Sequence, residues 1–251
     1  MKTDIGALRD SFTRQADGFE AKGYHLGKKE HIDHLVRLTG PSSSDQVLEV
    51  AAGTCLCARA FAPLSGHVTC LDAVPAMLET GRRESMNAGL GNMSFVLGEA
   101  ESLPFEDGTF DIVFSRLAFH HFASPYKPFE EMRRVLRKGG KLVLSDMTVH
   151  DDSLRDEVDR IERLRDPSHT HNLTLSEMRG LYEGMDFRAQ EVTDIAVGLE
   201  SWMALTGTPE GTRSVIRKEM EKGSSTGLRP FRKDGKVFFL QPWAVNIGIK
   251  L

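Results

Sequence analysis

The feature that most constrains the fold is the alternation of short apolar, β-branched segments with amphipathic helical segments after the first forty residues. A parallel sheet covered by helices has this pattern, because each parallel strand needs a crossover that returns the chain to the same edge. The sequence therefore predicts an α/β fold. Five strands are predicted, at 46–50, 67–71, 93–97, 110–114 and 141–145.

A helix is predicted between the fourth and fifth strands, because Phe129, Met132 and Leu136 fall on one helical face. Gly139 and Gly140 follow, and glycine is the residue that a helix C-terminus prefers. This stretch is predicted to be a strand–helix–strand unit whose helix ends at the glycine pair.

The rest of the chain is predicted to complete one domain around this sheet. Runs of β-branched and aromatic residues predict a sixth strand over 187–197 and a closing hairpin or long seventh strand over 237–249. Further helices follow from the capping-box spacing at Thr174 and from Pro209 at a first helical position. The predicted parts are an N-terminal helical cap over 1–40, a core sheet over 41–197, a helical insertion over 198–235 and a closing strand over 236–251.

Composition and charge narrow the class of partner. The 251 residues carry 32 Lys and Arg against 36 Asp and Glu, a net charge of −4, which disfavours a nucleic-acid partner because phosphate backbones bind basic surfaces. No run approaches the ~20 apolar residues of a membrane span. Three cysteines cannot form a disulfide framework and the first residues lack a signal-peptide pattern, so a reducing, cytoplasmic setting is expected.

The sharpest functional signal is the turn after the first strand, Ala-Ala-Gly-Thr-Cys at 51–55. Its small side chains let the backbone approach a ligand, and the helix that follows offers unpaired N–H groups. Asp72 ends the second strand, where a carboxylate can accept hydrogen bonds from ribose hydroxyls. A nucleoside site is predicted. With a single glycine, Gly53, the turn suits a zwitterionic ligand better than the pyrophosphate of a nicotinamide dinucleotide.

Five motifs in order, over about residues 45–146, resemble the class I S-adenosylmethionine-dependent methyltransferases, and among them the ubiquinone and menaquinone biosynthesis C-methyltransferases. The resemblance implies a Rossmann-like, seven-stranded, mostly parallel sheet with helices on both faces. It also implies S-adenosylmethionine as methyl donor and S-adenosylhomocysteine as product. The motifs are LEVAAGT at 48–54, DAVPAML at 72–78, GEAESLPF at 98–105, FDIVFS at 110–115 and RKGGKL at 137–142.

For the methionine and ribose parts of the donor, the resemblance implies that Glu49 orders the first loop and that Ala51 and Gly53 pass close to the methionine part. Asp72 would hold the ribose. Cys55 departs from the family, since it stands where a glycine is usual, and a side chain there costs room and removes positive-φ freedom. The substitution could reduce donor affinity.

For the adenine, the resemblance implies that Ala73 and Met77 flank the ring and that Glu99 with Ala100 reads its edge. Phe19 would close over the donor, where it could meet the sulfonium by a cation–π contact. Alternatively, this aromatic ring is only core of the N-terminal helices. The predicted donor site also includes Thr54, Ser115 and Arg116.

Two histidines follow the fourth strand, at the edge where an acceptor would sit, and imidazole is well matched to taking a proton near neutral pH. Of the pair, His121 is the predicted general base in preference to His120. The alternative is that a histidine at this turn hydrogen-bonds the backbone and packs. Arg116 could instead neutralise an acidic acceptor or form a surface ion pair. His169 and His171 are predicted to be solvated loop residues.

The expected function is methyl transfer by in-line displacement to a small-molecule acceptor, hydrophobic or aromatic, with oxygen, nitrogen or carbon left open. The donor's sulfonium is already an activated electrophile, so orientation can supply ~7–11 kcal/mol and no metal is required; the cysteines have no zinc-site spacing. The alternative is a non-catalytic module that binds S-adenosylmethionine or S-adenosylhomocysteine to regulate a partner. A monomer or homodimer is expected.

Overall fold

The computed structural model describes residues 29–251 together with Gly6, Arg9, Phe12 and Thr13. Much of the predicted N-terminal helical cap, including Phe19, therefore falls outside the described residues. Eight strands and eight α-helices occur in the described part of the chain. The strands are β1 (Gln46–Val50), β2 (His67–Asp72), β3 (Met93–Leu97), β4 (Phe110–Arg116), β5 (Leu136–Met147), β6 (Asp186–Gly198), β7 (Phe231–Lys233) and β8 (Lys236–Ile249).

The strands form one sheet in the order β3-β2-β1-β4-β5-β8-β6, with β7 paired to β8. The first five strands are parallel, whereas β8 runs antiparallel between β5 and β6. This confirms the Rossmann-like, mostly parallel α/β sheet and the long closing strand. The short hairpin that β7 forms with the start of β8 was not predicted in this form. It pairs Lys233 with Lys236 across Asp234 and Gly235, which have φ of 50° and 72°, as a tight two-residue turn requires.

The described helices are α1 (Lys29–Thr39), α2 (Leu56–Phe61), α3 (Pro75–Asn87), α4 (Tyr126–Val135), α5 (Arg155–Arg165), α6 (Leu175–Leu181), α7 (Leu199–Leu205) and α8 (Glu210–Met220). Helices cover the sheet in three groups, each with its own buried cluster. On one face, α1 buries Ile32 and Leu35 against Phe61 and Phe114. On the other face, α4 and α6 pack against the sheet, and at its end α5, α7 and α8 pack around Trp202. None of the described helices has the length and apolarity to cross a membrane.

The prediction that α4 ends at the glycine pair was wrong. The helix ends at Val135, and Gly139 and Gly140 lie inside β5. The pairing of β4 with β5 shifts register here, and Gly139 takes a φ of 73°. A Cβ on Gly140 would lie 2.9 Å from the Asp111 carbonyl oxygen, so the strands approach too closely for a side chain. The glycines serve a strand irregularity rather than a helix end.

Two helix-start predictions can be compared with the structure directly. The capping box at Thr174 is confirmed: its hydroxyl accepts from the Glu177 N–H at 3.2 Å, and the Glu177 carboxylate accepts from the Thr174 N–H at 2.8 Å. The helix near Pro209 is present as α8, but Pro209 is its N-cap and Glu210 its first residue. The predicted first residue of this helix was therefore one position too early.

Candidate active site

A cavity opens at the carboxyl ends of the first five strands, the edge where the sequence placed the donor. Its lining brings together residues from segments that are far apart in the chain. Ser115 is not among them, and its side chain is fully buried. Of the predicted residues, those that line the cavity are Glu49, Ala51, Gly53, Thr54, Asp72, Ala73, Met77, Glu99, Ala100, Arg116 and His121.

The loop after β1 holds alternate residues in the left-handed region. Ala51, Gly53 and Cys55 have φ of 56°, 53° and 59°, so the positive φ expected at Cys55 is present. The thiol, however, is fully buried and does not line the cavity. Its room comes from α3, where a Cβ on Gly81 would lie only 2.7 Å from the Cys55 Sγ. The Cys55 side chain therefore takes no room in the cavity, and its effect on donor affinity stays a prediction.

Glu49 connects β1 to the helix that follows the loop. Its Oε2 accepts from the Ala58 N–H in the first turn of α2 at 2.9 Å. Burial raises the pKa of Glu49 to about 8, although this hydrogen bond and the charges of Arg116 and Arg59 act in the opposite direction. The carboxyl is therefore mainly protonated at neutral pH in the free protein.

Asp72 joins the two loops that border the cavity. Its Oδ2 accepts from the Gly53 N–H at 2.7 Å and its Oδ1 from the Val74 N–H at 2.8 Å. Burial raises the pKa of Asp72, and the backbone N–H donors partly offset this. Each carboxylate oxygen has a second lone pair, so Asp72 can hold the loops and still accept from a ligand hydroxyl.

Residues from the N-terminal segment close the cavity near the loop after β2. The Arg9 Nε donates to the Ala73 carbonyl oxygen at 2.8 Å, and the guanidinium lies 3.5 Å from the Glu99 carboxylate. Phe12 lines the cavity, and its ring is perpendicular to the His121 ring, with centroids 5.0 Å apart. The described residues of the N-terminal segment thus contact both ends of the site.

His120 forms a buried pair with a carboxylate at the end of β5. Its Nδ1 lies 2.7 Å from the Asp146 Oδ1, and Asp146 also accepts from the Phe119 and Met147 N–H groups at 2.7 Å. Burial is the largest influence and disfavours the imidazolium, but Asp146 and the more distant Glu162 outweigh it and raise the pKa of His120. Because a carboxylate can only accept, the Nδ1 carries a proton and the Nε2 is the proton-accepting atom of neutral His120.

His121 has a different environment, although it is the next residue. Its Nδ1 lies 3.1 Å from the Ser168 carbonyl oxygen and equally far from the Ser168 Oγ. The Ser168 hydroxyl donates to Asp166, so the His121 Nδ1 is the donor in this contact. Burial, and then the charge of His120, lower the pKa of His121 to about 3. His121 is therefore neutral at physiological pH.

Several residues of the site were not predicted. Asp146 is not in the cavity lining but bonds His120, which is, and it could have been found by the signal that identified Asp72, an acidic residue at the end of a predicted strand. Trp202, Arg165 and Gln241 line the same cavity from distant segments and carry no local signal. The prediction that His169 is solvated was wrong: the residue is buried, and its Nε2 lies 2.8 Å from the Asp159 carboxylate.

Comparisons with known proteins agree with this geometry. A family model described as a methyltransferase domain matches residues 48–144. The uncharacterized methyltransferase YcgJ of Bacillus subtilis is 33% identical over 205 residues, which cover 80% of this chain and 81% of that protein. Its crystal structure matches with a TM-score of 0.82 and 28% identity over 88% of this chain and 98% of that one.

Two further relatives extend the comparison. The uncharacterized protein YafE of Escherichia coli is 32% identical over 68% of this chain and 84% of its own length. The ubiquinone/menaquinone biosynthesis C-methyltransferase UbiE of Pseudomonas paraeruginosa is 35% identical over 47% of this chain and 48% of its own length. The similarity to YcgJ spans most of both chains and extends beyond the matched domain. The chain belongs to the class I S-adenosylmethionine-dependent methyltransferases.

Proposed function

We propose that this enzyme transfers the methyl group of S-adenosylmethionine in line to a small hydrophobic or aromatic acceptor. The observation that carries the proposal is the composition of the cavity lining, which we divide into two parts. One part contains the residues predicted for the donor. The other part, here called the acceptor wing, combines apolar side chains with buried polar groups and consists of Leu117, His120, Met147, Arg165, Trp202, Leu205 and Gln241.

In the donor part, Asp72 accepts hydrogen bonds from the ribose hydroxyls, and the loop at Ala51 and Gly53 follows the methionine part. A Cβ on Gly53 would meet nothing within 4 Å, which is consistent with open space beside the loop. Met77 is 1% exposed and provides an apolar wall for the adenine. When bound, S-adenosylmethionine supplies a sulfonium-activated methyl group, so these residues need only bind and orient it.

The acceptor wing lies where the fourth and fifth strands end. Leu117 follows β4 and Met147 is the last residue of β5, and α7 contributes Trp202 and Leu205 from the predicted helical insertion. Apolar side chains from three segments favour an acceptor with an apolar or aromatic body, because such a body is stabilised by leaving water. The insertion is thereby proposed to form the wall that selects the acceptor.

We infer that His120 takes the proton when the acceptor atom carries one. A general base works best when its pKa lies near the operating pH. His120 has the buried Asp146 to stabilise its imidazolium, whereas the pKa of His121 is lowered to about 3. His121, the base favoured by the sequence, holds the Ser168 backbone through its Nδ1 and is proposed to position His120, whose ring centroid lies 4.1 Å away.

The test is a screen of small acceptors with S-adenosylmethionine, in which release of S-adenosylhomocysteine is measured. With an acceptor in hand, His120→Gln should lower kcat by ~10²–10⁴-fold without changing S-adenosylhomocysteine affinity. The pH profile of wild-type kcat should rise through the pKa of His120, because only neutral imidazole accepts a proton. His67→Gln is the matched control, since His67 lies outside the cavity lining and contacts Ser94.

The same screen separates the alternatives. If His121→Gln removes turnover and His120→Gln does not, the base predicted from the sequence is correct and the inference for His120 is wrong. If both variants turn over like the wild type, the acceptor needs no base and orientation is the main contribution. Binding of S-adenosylhomocysteine with no release from any acceptor would support the non-catalytic alternative.

A further inference from the structure

Two buried polar side chains in the acceptor wing have atoms without a hydrogen-bond partner in the described part of the chain. Arg165, at the end of α5, is 7% exposed, and Gln241, in β8, is 2% exposed. The unpaired atoms are the Arg165 Nε and the Gln241 Oε1. An unsatisfied buried polar atom costs about 1–3 kcal/mol. Because both side chains line the cavity, a ligand could satisfy both atoms.

Glu162 links this pair and fixes the orientation of its groups. One carboxylate oxygen accepts from the Arg165 Nη2 at 3.1 Å and the other from the Gln241 Nε2 at 3.0 Å. Since a carboxylate can only accept, the Gln241 amide must turn its nitrogen toward Glu162 and leave its oxygen unpaired. The pair therefore offers a ligand one N–H donor and one C=O acceptor.

The charge of Arg165 is already compensated. Glu162 is fully buried against the guanidinium, and the Asp166 carboxylate lies 4.0 Å from the Arg165 Nη2. The guanidinium also lies over the Trp202 ring, 4.8 Å from its centroid, which holds the group in one plane. The acceptor wing thus has hydrogen-bonding capacity at this point without a net positive charge.

We propose that the acceptor carries an uncharged head group that both donates and accepts a hydrogen bond, a carboxamide or a hydroxyl, and that Arg165 and Gln241 bind it. A carboxylate or a fully ionised phosphate fits poorly, because it brings a charge that Glu162 and Asp166 repel and has no proton to donate to the Gln241 Oε1. The inference rests on the proposed function, since it names the acceptor class for the same cavity.

The experiment compares three small aromatic probes that share a ring and differ in head group: benzamide, benzyl alcohol and benzoate. Each is titrated by ligand-observed NMR into protein saturated with S-adenosylhomocysteine. At least one neutral probe should bind about tenfold more tightly than benzoate, a difference of about 1.4 kcal/mol. Comparing benzamide with benzyl alcohol distinguishes the two neutral head groups.

Two variants test whether Arg165 and Gln241 cause the preference for a neutral head group. Gln241→Met removes the amide at similar volume, and Arg165→Lys keeps the charge beside Glu162 but removes the Nε–H. Each should weaken the preferred neutral probe about tenfold and reduce its advantage over benzoate. The matched controls are Gln190→Met and Arg163→Lys, whose side chains bond other groups outside the cavity lining and should leave probe affinity unchanged.

Separate readouts distinguish the two proposals. Calorimetry with S-adenosylhomocysteine and the thermal midpoint are measured for every variant. If wild-type protein does not bind S-adenosylhomocysteine, the proposed function fails and this inference fails with it. If it binds and benzoate is held as tightly as both neutral probes, or no probe is held, only the inference is overturned. If Arg165→Lys does not fold, Gln241→Met decides, and its lack of effect on the neutral probe overturns the inference.

Discussion

Replacing Glu49 with glutamine tests the electrostatics at the loop after β1 without needing an acceptor. The carboxyl of Glu49 is buried, and its pKa is raised from an ordinary 4.5 to about 8. Glutamine has the same shape and its carbonyl oxygen can accept from the Ala58 N–H, but it has no proton to lose. Glu49→Gln should therefore leave the fold intact and change only how stability depends on pH.

The sign and size follow from the two pKa values. A folded-state pKa above the unfolded one means that this stabilising contribution is complete below about pH 4.5 and is lost as pH rises through about 8. Each pKa unit corresponds to about 1.4 kcal/mol. Between about pH 5.5 and about pH 8.5, the wild type should lose about 3 kcal/mol relative to Glu49→Gln.

Urea unfolding of both proteins at these two pH values measures the difference directly, because all other groups titrate alike in the two chains. The control is Glu131→Gln, since the hydrogen bond from Arg134 lowers the pKa of Glu131. Glu131 therefore loses its charge only at acid pH, and its variant should show a constant difference over this range. A constant difference for Glu49→Gln as well would refute the assignment of a protonated carboxyl to Glu49.

Three further substitutions test the site and its support. Asp72→Ala should weaken S-adenosylmethionine binding by about 1.5–3 kcal/mol in calorimetry, and it should also lower the thermal midpoint, because the carboxylate holds the Gly53 and Val74 N–H groups. Cys55→Gly should leave donor affinity unchanged, and a marked loss of affinity would contradict the position of the thiol outside the cavity. The stability of the protein should change little, because relief of left-handed backbone strain, about 1–2 kcal/mol, offsets the lost packing of a buried thiol. Gly140→Ala should destabilise the protein by about 1–3 kcal/mol in urea unfolding, and an unchanged midpoint would show that the β4–β5 pairing can relax.

Much of the fold could be predicted because its signals are local. β1 and β3 have the predicted bounds, since short, mainly apolar segments between turn residues favour strands. The loop after β1 and Asp72 could be predicted to lie at one cavity for a related reason, because parallel strands bring their carboxyl ends to one edge of the sheet. Local signals failed at Gly139 and Gly140, because a glycine pair is compatible both with a helix end and with a strand irregularity. The sequence predicted a helix end, and the structure has a strand irregularity.

By itself, the sequence determined the α/β class, the methyltransferase family and the edge of the sheet that carries the cavity, because these depend on periodicity and on motifs of neighbouring residues. Only the tertiary structure distinguished His120 from His121, two adjacent residues of one type. Their pKa values move in opposite directions because β5 brings Asp146 to one and burial beside Ser168 isolates the other. The composition of the acceptor wing was likewise decided only by the tertiary structure. The burial and charge of its side chains depend on segments that meet only in the folded chain.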